Sequence, residues 1–177
     1  MEKSQFDKLK QSVNETIEHA KSMNTKWRIR QLQQDEKLPM DLLLLADPSE
    51  QSIEKYIHKS EVYIAVEIED IIGVFVLLEI APGKAELMNV VVAESHQGKG
   101  LGKALVLQAI EVAKMRGMQS MELGTGNSSI QQLALYQKCG FRMKEIHHDY
   151  FIDNYDEPIF ENGIQCRDMV RLGIKLE

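Results

Sequence analysis

Two cysteines are all that the 177 residues contain, and Cys139 and Cys166 match neither a zinc-ligand spacing nor a disulfide framework. Both are expected to be free thiols, and no metal site is expected. Long apolar runs are missing as well. Nothing approaches the roughly 20 residues of a membrane span, and the N-terminal stretch EKSQFDKLKQ lacks a signal peptide's apolar core. The chain is therefore expected to be cytoplasmic, with no membrane partner. An excess of positive charge is absent too, since 21 Lys and Arg face 27 Asp and Glu for a formal net charge of -6. General affinity for DNA or RNA depends on clustered cations, so nucleic acid is not an expected partner. There are no internal repeats and no low-complexity tracts, and the length suits one domain with a substantial core.

What is present is concentrated between Glu86 and Lys103, ELMNVVVAESHQGKGLGK. A β-branched apolar run, a short polar link and glycines at Gly98, Gly100 and Gly102 precede a long helical pattern. Such a strand, turn and helix start can point several bare N–H groups at one place, where the helix terminus adds about half a positive charge. A pyrophosphate fits that cradle. The P-loop pattern G-x-x-x-x-G-K-[ST] fails here, because the glycine span is one residue short and Ala104 follows Lys103. The dinucleotide pattern G-x-G-x-x-G fails on spacing and on its place past mid-chain, and Glu122 is a poor ribose-binding acid.

The remaining pattern is Q-x-x-G-x-G, filled by Gln97, Gly100 and Gly102. Farther on, Leu135 to Phe141 reads LYQKCGF, a tyrosine-bearing helix closing with Gly-Phe. In these two ordered segments the chain resembles the GNAT superfamily of N-acetyltransferases, over roughly Trp27 to Leu176. The resemblance implies an α/β (α+β) fold: a mixed, mostly antiparallel sheet of about seven strands with helices on both faces. It also implies acetyl-CoA as co-substrate.

Taken in order, Phe6, Leu9, Val13, Ile17 and Ala20 form one apolar helix face. This N-terminal amphipathic helix and its linker, 1–24, are expected to pack on the domain at 25–177 or on another subunit of a homo-oligomer. Trp27–Gln31 reads as a strand, and Leu38–Leu45 and Ser49–Tyr56 as helices, with Ser49 as cap. Val62–Ile68 and Ile71–Ile80 read as antiparallel strands joined at Glu69-Asp70, and Glu86–Val92 as the next. Leu101–Arg116 is a mostly buried helix. Ser120–Leu123 resumes a strand and Ile130–Lys138 a helix. Phe141–His148 and Ile164–Leu176 read as the last two strands, joined by a long loop through Tyr155, Pro158 and Gly163.

By the resemblance, the main chain of Asn89, Val90, Val91 and Val92 pairs with the pantetheine at a bulged strand, and an N–H near Val91 polarises the thioester. The diphosphate is expected on Gln97, Gly98, Lys99, Gly100, Leu101, Gly102 and Lys103. Tyr136 stands where the family has a tyrosine near the CoA sulfur, a general acid for the departing thiolate. Asn127 and Ser129 share the place of an asparagine that can touch pantetheine, although Ser128 and Ser129 also suit a helix N-cap. Glu86 is the first choice for general base, ahead of Glu79, His147 and His148. Asp149, Asp153, Asp156 and Glu157, with Tyr150, Phe151 and Tyr155 between them, form a stretch suited to a cationic amine acceptor, and equally the composition of a solvated acidic loop. The expected activity is acetyl transfer to a primary amine in a ternary complex. The alternative is a CoA-binding sensor of the same fold without turnover.

Overall fold

The structure, a computed structural model, describes residues 27–176. The helix expected over residues 4–21 and its linker lie outside the described residues. The elements in chain order are β1 (Trp27–Gln31), α1 (Met40–Ala46), α2 (Glu50–Ile57), β2 (Glu61–Glu67), β3 (Asp70–Ala81) and β4 (Lys84–Val92). There follow α3 (Leu101–Met115), β5 (Ser120–Gly126), α4 (Ile130–Lys138), β6 (Arg142–His147), α5 (Tyr150–Asn154), β7 (Ile159–Glu161), β8 (Ile164–Cys166) and β9 (Met169–Lys175). Among the described residues no helix is long and apolar enough to cross a membrane.

Residues 62–66 of β2 and 72–77 of β3 are buried without alternation, the pattern of strands covered on both faces. Seven strands form one sheet in the order β1-β2-β3-β4-β5-β9-β6, and β7 pairs with β8 apart from it. Every pairing is antiparallel except β4 with β5. On one face α3 and α4 close a core around Phe75, Leu105, Leu123, Tyr136 and Phe141. On the other, α1 and α2 bury Leu43, Ile53 and Tyr56 against Ile64, Val74 and Val76.

Two departures from a regular sheet build the site. Val76 pairs with Asn89 but Leu77 pairs with Leu87, which leaves Met88 as an extra residue in β4. Such a bulge shifts the two-residue alternation. Leu87 and Val90 consequently both face the α3–α4 core, and Met88 and Val91 face the α1–α2 core. The second departure is that β4 and β5 pair only over Lys84–Glu86 and Ser120–Glu122. Beyond that they separate, so one edge of β4 from Leu87 to Val92 has no partner strand.

Three sequence readings are corrected. The long loop before the last strand contains α5 and the β7–β8 hairpin, and the expected strand Ile164–Leu176 is broken at Arg167-Asp168. The hairpin turns at Asn162 (φ 54°) and Gly163 (φ 73°), the left-handed pair that an Asn-Gly dipeptide favours. Ile68 belongs to the β2–β3 turn, with φ 58° and 90% exposure, although its side chain suggested the strand's end.

Candidate active site

Gly100 is the N-cap of α3, with φ 86° and no side-chain cap. Gly98 also holds a positive φ of 73°, and a Cβ at either would meet no atom within 4 Å. The first bond into the helix comes from Ala104 N to Gly100 O at 3.1 Å. Among the described residues, no N–H from Gly98 through Lys103 has a backbone acceptor. A run of six uncommitted donors at the head of a 15-residue helix fits an anion of several oxygens, and therefore a diphosphate. Two side chains stiffen the loop. Gln97 donates from Nε2 to Val92 O at 3.1 Å, and Lys99 from Nζ to Ser95 O at 2.8 Å. Lys103 is exposed, while the Leu101 side chain lies in the core and leaves only its backbone to the cradle.

Between the separated ends of β4 and β5 opens a cleft of about 660 Å³. Met88, Asn89 and Val90 line one wall, Gly124 to Gly126 another, and Tyr136 of α4 reaches it from the α3–α4 side. The close packing of β5 on its neighbours requires small residues, since a Cβ on Gly126 would collide with Cys166 Sγ. The Tyr136 ring is buried and packs edge-on to Phe141 at 6.2 Å between centroids. Its hydroxyl has no hydrogen-bond partner among the described residues, and burial pushes its pKa up. It is a protonated donor with nothing yet to donate to.

Glu86 lines the same cleft and is ion-paired with Arg171. Arg171 also approaches Glu122 at 3.5 Å, and Glu122 takes Lys84 at 2.9 Å. Burial opposes ionisation of Glu122, but Lys144 and Lys84 together outweigh it and hold the carboxyl at about 2. The network ties β4, β5, β6 and β9 together at the paired end of the cleft. Of the alternative bases, Glu79 accepts from Gly83 N at the β3–β4 turn, and His148 is 77% exposed. His147 does line the cleft, paired with Glu145 at 2.7 Å.

The acidic stretch follows β6 as read from the sequence, but it gives the cleft rings and no carboxylate. Asp149 pairs with Arg167, and none of Asp149, Asp153, Asp156 or Glu157 lines the cleft, although Tyr150, Phe151 and Tyr155 do. Its carboxylates come instead from Asp47, Glu86 and Glu161. Asp47 accepts from Tyr155 Oη at 3.1 Å, and Glu161 accepts from Ser129 Oγ at 2.5 Å. Neither Asp47 nor Glu161 has a cationic partner among the described residues. Sequence reasoning missed Asp47, Tyr56, Glu161 and Arg171. The Asn162-Gly163 dipeptide, read as a hairpin turn, was the one signal that would have brought Glu161 forward. Asn127 is occupied elsewhere: its Oδ1 accepts from Arg167 N and Asp168 N, and its Nδ2 donates to Gln165 O. Ser129 is N-cap of α4 and held by Glu161.

A family model described as the acetyltransferase (GNAT) family matches residues 25–141. An uncharacterized N-acetyltransferase of Bacillus subtilis, YvbK, is 57% identical over 136 residues, 77% of this chain and 88% of its own. A crystal structure of a Bacillus subtilis acetyltransferase in complex with CoA superposes with a TM-score of 0.81 at 53% identity, covering 85% of this chain and 99% of that one. A GNAT family acetyltransferase of Elizabethkingia anophelis with acetyl-CoA bound gives 0.84 at 42% identity, covering 86% and 100%. The glycine cradle, the open β4 edge and the cleft tyrosine thus occur in a chain that belongs to the GNAT acetyltransferase family and is an acyl-CoA-dependent N-acetyltransferase.

Proposed function

We propose that the chain transfers the acetyl group of acetyl-CoA directly to a primary amine, with both substrates bound together and no acyl-enzyme. The observation that carries this reading is the unpaired edge of β4. It leads from the anion cradle at α3 into the cleft that holds Tyr136. Acetyl-CoA supplies an activated thioester; the chain's own groups position it and move protons. The diphosphate rests on the N–H groups of Gly98 through Lys103, and the backbone of Asn89 to Val92 acts as a strand for the pantetheine. Tyr136 gives its proton to the departing sulfur. Glu86, with one oxygen fixed by Arg171, draws the proton from the attacking nitrogen as the C–N bond forms and that nitrogen becomes acidic.

The acceptor arrives as a cation and gives one proton to solvent before its neutral nitrogen attacks. Asp47 and Glu161, two carboxylates without cationic partners, support this, as do the aromatic rings of Tyr150, Phe151 and Tyr155 beside them. The buried free thiols Cys139 and Cys166 support a reducing, cytoplasmic setting. The family match beginning at residue 25 supports a boundary between a 1–24 segment and a domain at 25–177.

The test has two stages. Acetyl-CoA and CoA are expected to raise the melting temperature while NAD and ATP are not. Acetyl-CoA is then expected to release thiol when primary amines are added. Stabilisation by NAD or ATP but by neither CoA form would contradict the placement of the site.

A further inference from the structure

The described residues open at Trp27, where the two faces of β1 differ. Trp27 and Ile29 point to the α3–α4 side and are partly buried against its core. Arg28 and Arg30 alternate with them on the other side, and Arg30 pairs there with Glu36 at 2.6 Å. α3 itself lies over β3 and β4. Its Leu101 and Leu105 stand against Gly73 of β3, and Gly102 faces Leu135 of α4 and Val92 of β4. Gly73 pairs with Ala65, and Ala65 with Ile29, so the sheet continues past α3 on the side away from α4. The flank of α3 turned that way carries Ala104, Gln108, Glu111 and Met115, one row at three-and-four spacing. None of the four is fully buried, and Met115 is 50% exposed. A groove floored by Tyr63 and Ala65 of β2 thus runs between this row and β1.

The chain reaches the groove at a particular end. Trp27 pairs with Glu67, which meets His96, just ahead of the glycine cradle, at 3.3 Å. At the far end Arg116 bridges to Glu61 at 2.7 Å. Whatever precedes Trp27 therefore arrives where α3 begins. We propose that the N-terminal segment of this chain, 1–26, lies in the groove between β1 and α3 of its own molecule, antiparallel to α3. The stripe of Phe6, Leu9, Val13, Ile17 and Ala20 needs an apolar surface, and the arginine face of β1 offers none. The lengths agree. As a helix, Phe6 to Ala20 spans about 21 Å, the length of α3 from Leu101 to Met115, and 22–26 make the turn into β1. Laid head to tail, Phe6 falls beside Met115, Val13 beside Gln108 and Ile17 beside Ala104. Lys10 then meets Glu111, whose described ion pair is a loose one to Lys114 at 3.6 Å.

Two experiments on the full chain test this. Trp27 is the only tryptophan, so its emission reports on the groove. In Leu9→Glu/Val13→Glu the charged stripe is expected to leave the groove. Emission then shifts to the red, acrylamide quenches it more strongly, and the melting temperature falls by about 5 °C or more. Unchanged emission and quenching would overturn the proposal. The second experiment keeps the stripe intact. Cys139 and Cys166 are buried, so a short bismaleimide reacts with introduced thiols. Lys10→Cys/Glu111→Cys is expected to link within one chain. Lys10→Cys/Asp41→Cys, with its second thiol on α1 across the sheet, is expected not to. Links between two chains would give the groove to the segment of a second copy and overturn the proposal. So would the absence of a link to position 111, or equal linking to position 41.

Discussion

Gly102→Val is expected to remove acetyl-CoA binding while leaving a folded chain. Gly102 is the second residue of α3 and does not need a positive φ. A Cβ there would meet Leu135 Cδ2 at 3.6 Å and Val92 Cγ2 at 3.8 Å, which are ordinary contacts. The protein itself has room for a side chain, and replacing a helical glycine ordinarily favours the helix. What a valine would displace is the diphosphate, whose oxygens must come within hydrogen-bond distance of the backbone. Losing two charge-assisted bonds of about 1.5–3 kcal/mol each weakens binding by about 10²-fold or more. Gly100→Val would confuse the matter, because φ 86° strains any side chain whatever binds there. Calorimetric titration with acetyl-CoA and a melting curve without it read the two halves of the expectation. Unchanged affinity in folded Gly102→Val would remove the cradle from the site.

Tyr136→Phe is expected to lower turnover about 10²–10⁴-fold with little change in acetyl-CoA affinity. Phenylalanine keeps the buried ring and its edge contact with Phe141, so the substitution deletes only an unpartnered hydroxyl. In water a phenol near 10 protonates a thiolate near 8.5 at a cost of about 2 kcal/mol. Burial raises the Tyr136 pKa further, but a thiolate leaving beside the buried ring loses hydration and is raised as well, which narrows the difference again. The raised pKa also keeps the donor protonated across the neutral range. Single-turnover rates with a primary amine separate chemistry from product release. Equal rates for both proteins would leave thiolate departure to water or substrate.

These two positions stand out in the sequence, and the reason is local. The glycines of QGKGLG and the tyrosine of LYQKCGF each act through the few residues around them, and strand and helix starts follow the same short-range chemistry. The acceptor side of the cleft is assembled from afar. Asn89 meets Leu43 across 46 residues, Arg171 meets Glu86 across 85, and Tyr155 meets Asp47 across 108. No pattern within one window joins them. Density of charge along the chain pointed to Asp149–Glu157, whereas topology delivered Asp47 and Glu161 on separate elements. Asn127 has a place in the motif that suggested a ligand contact, while the three hydrogen bonds of its side chain hold the loop before β9.

Direct attack within a ternary complex leaves a signature in initial rates. Thiol release is measured while acetyl-CoA and a reactive primary amine are varied against each other. The open β4 edge and the acceptor wall border one cleft, so both substrates can bind together; double-reciprocal lines are expected to intersect, with no thiol released before the amine is added. Parallel lines, with one equivalent of thiol released by acetyl-CoA alone, would place the acetyl group on the protein first and contradict it.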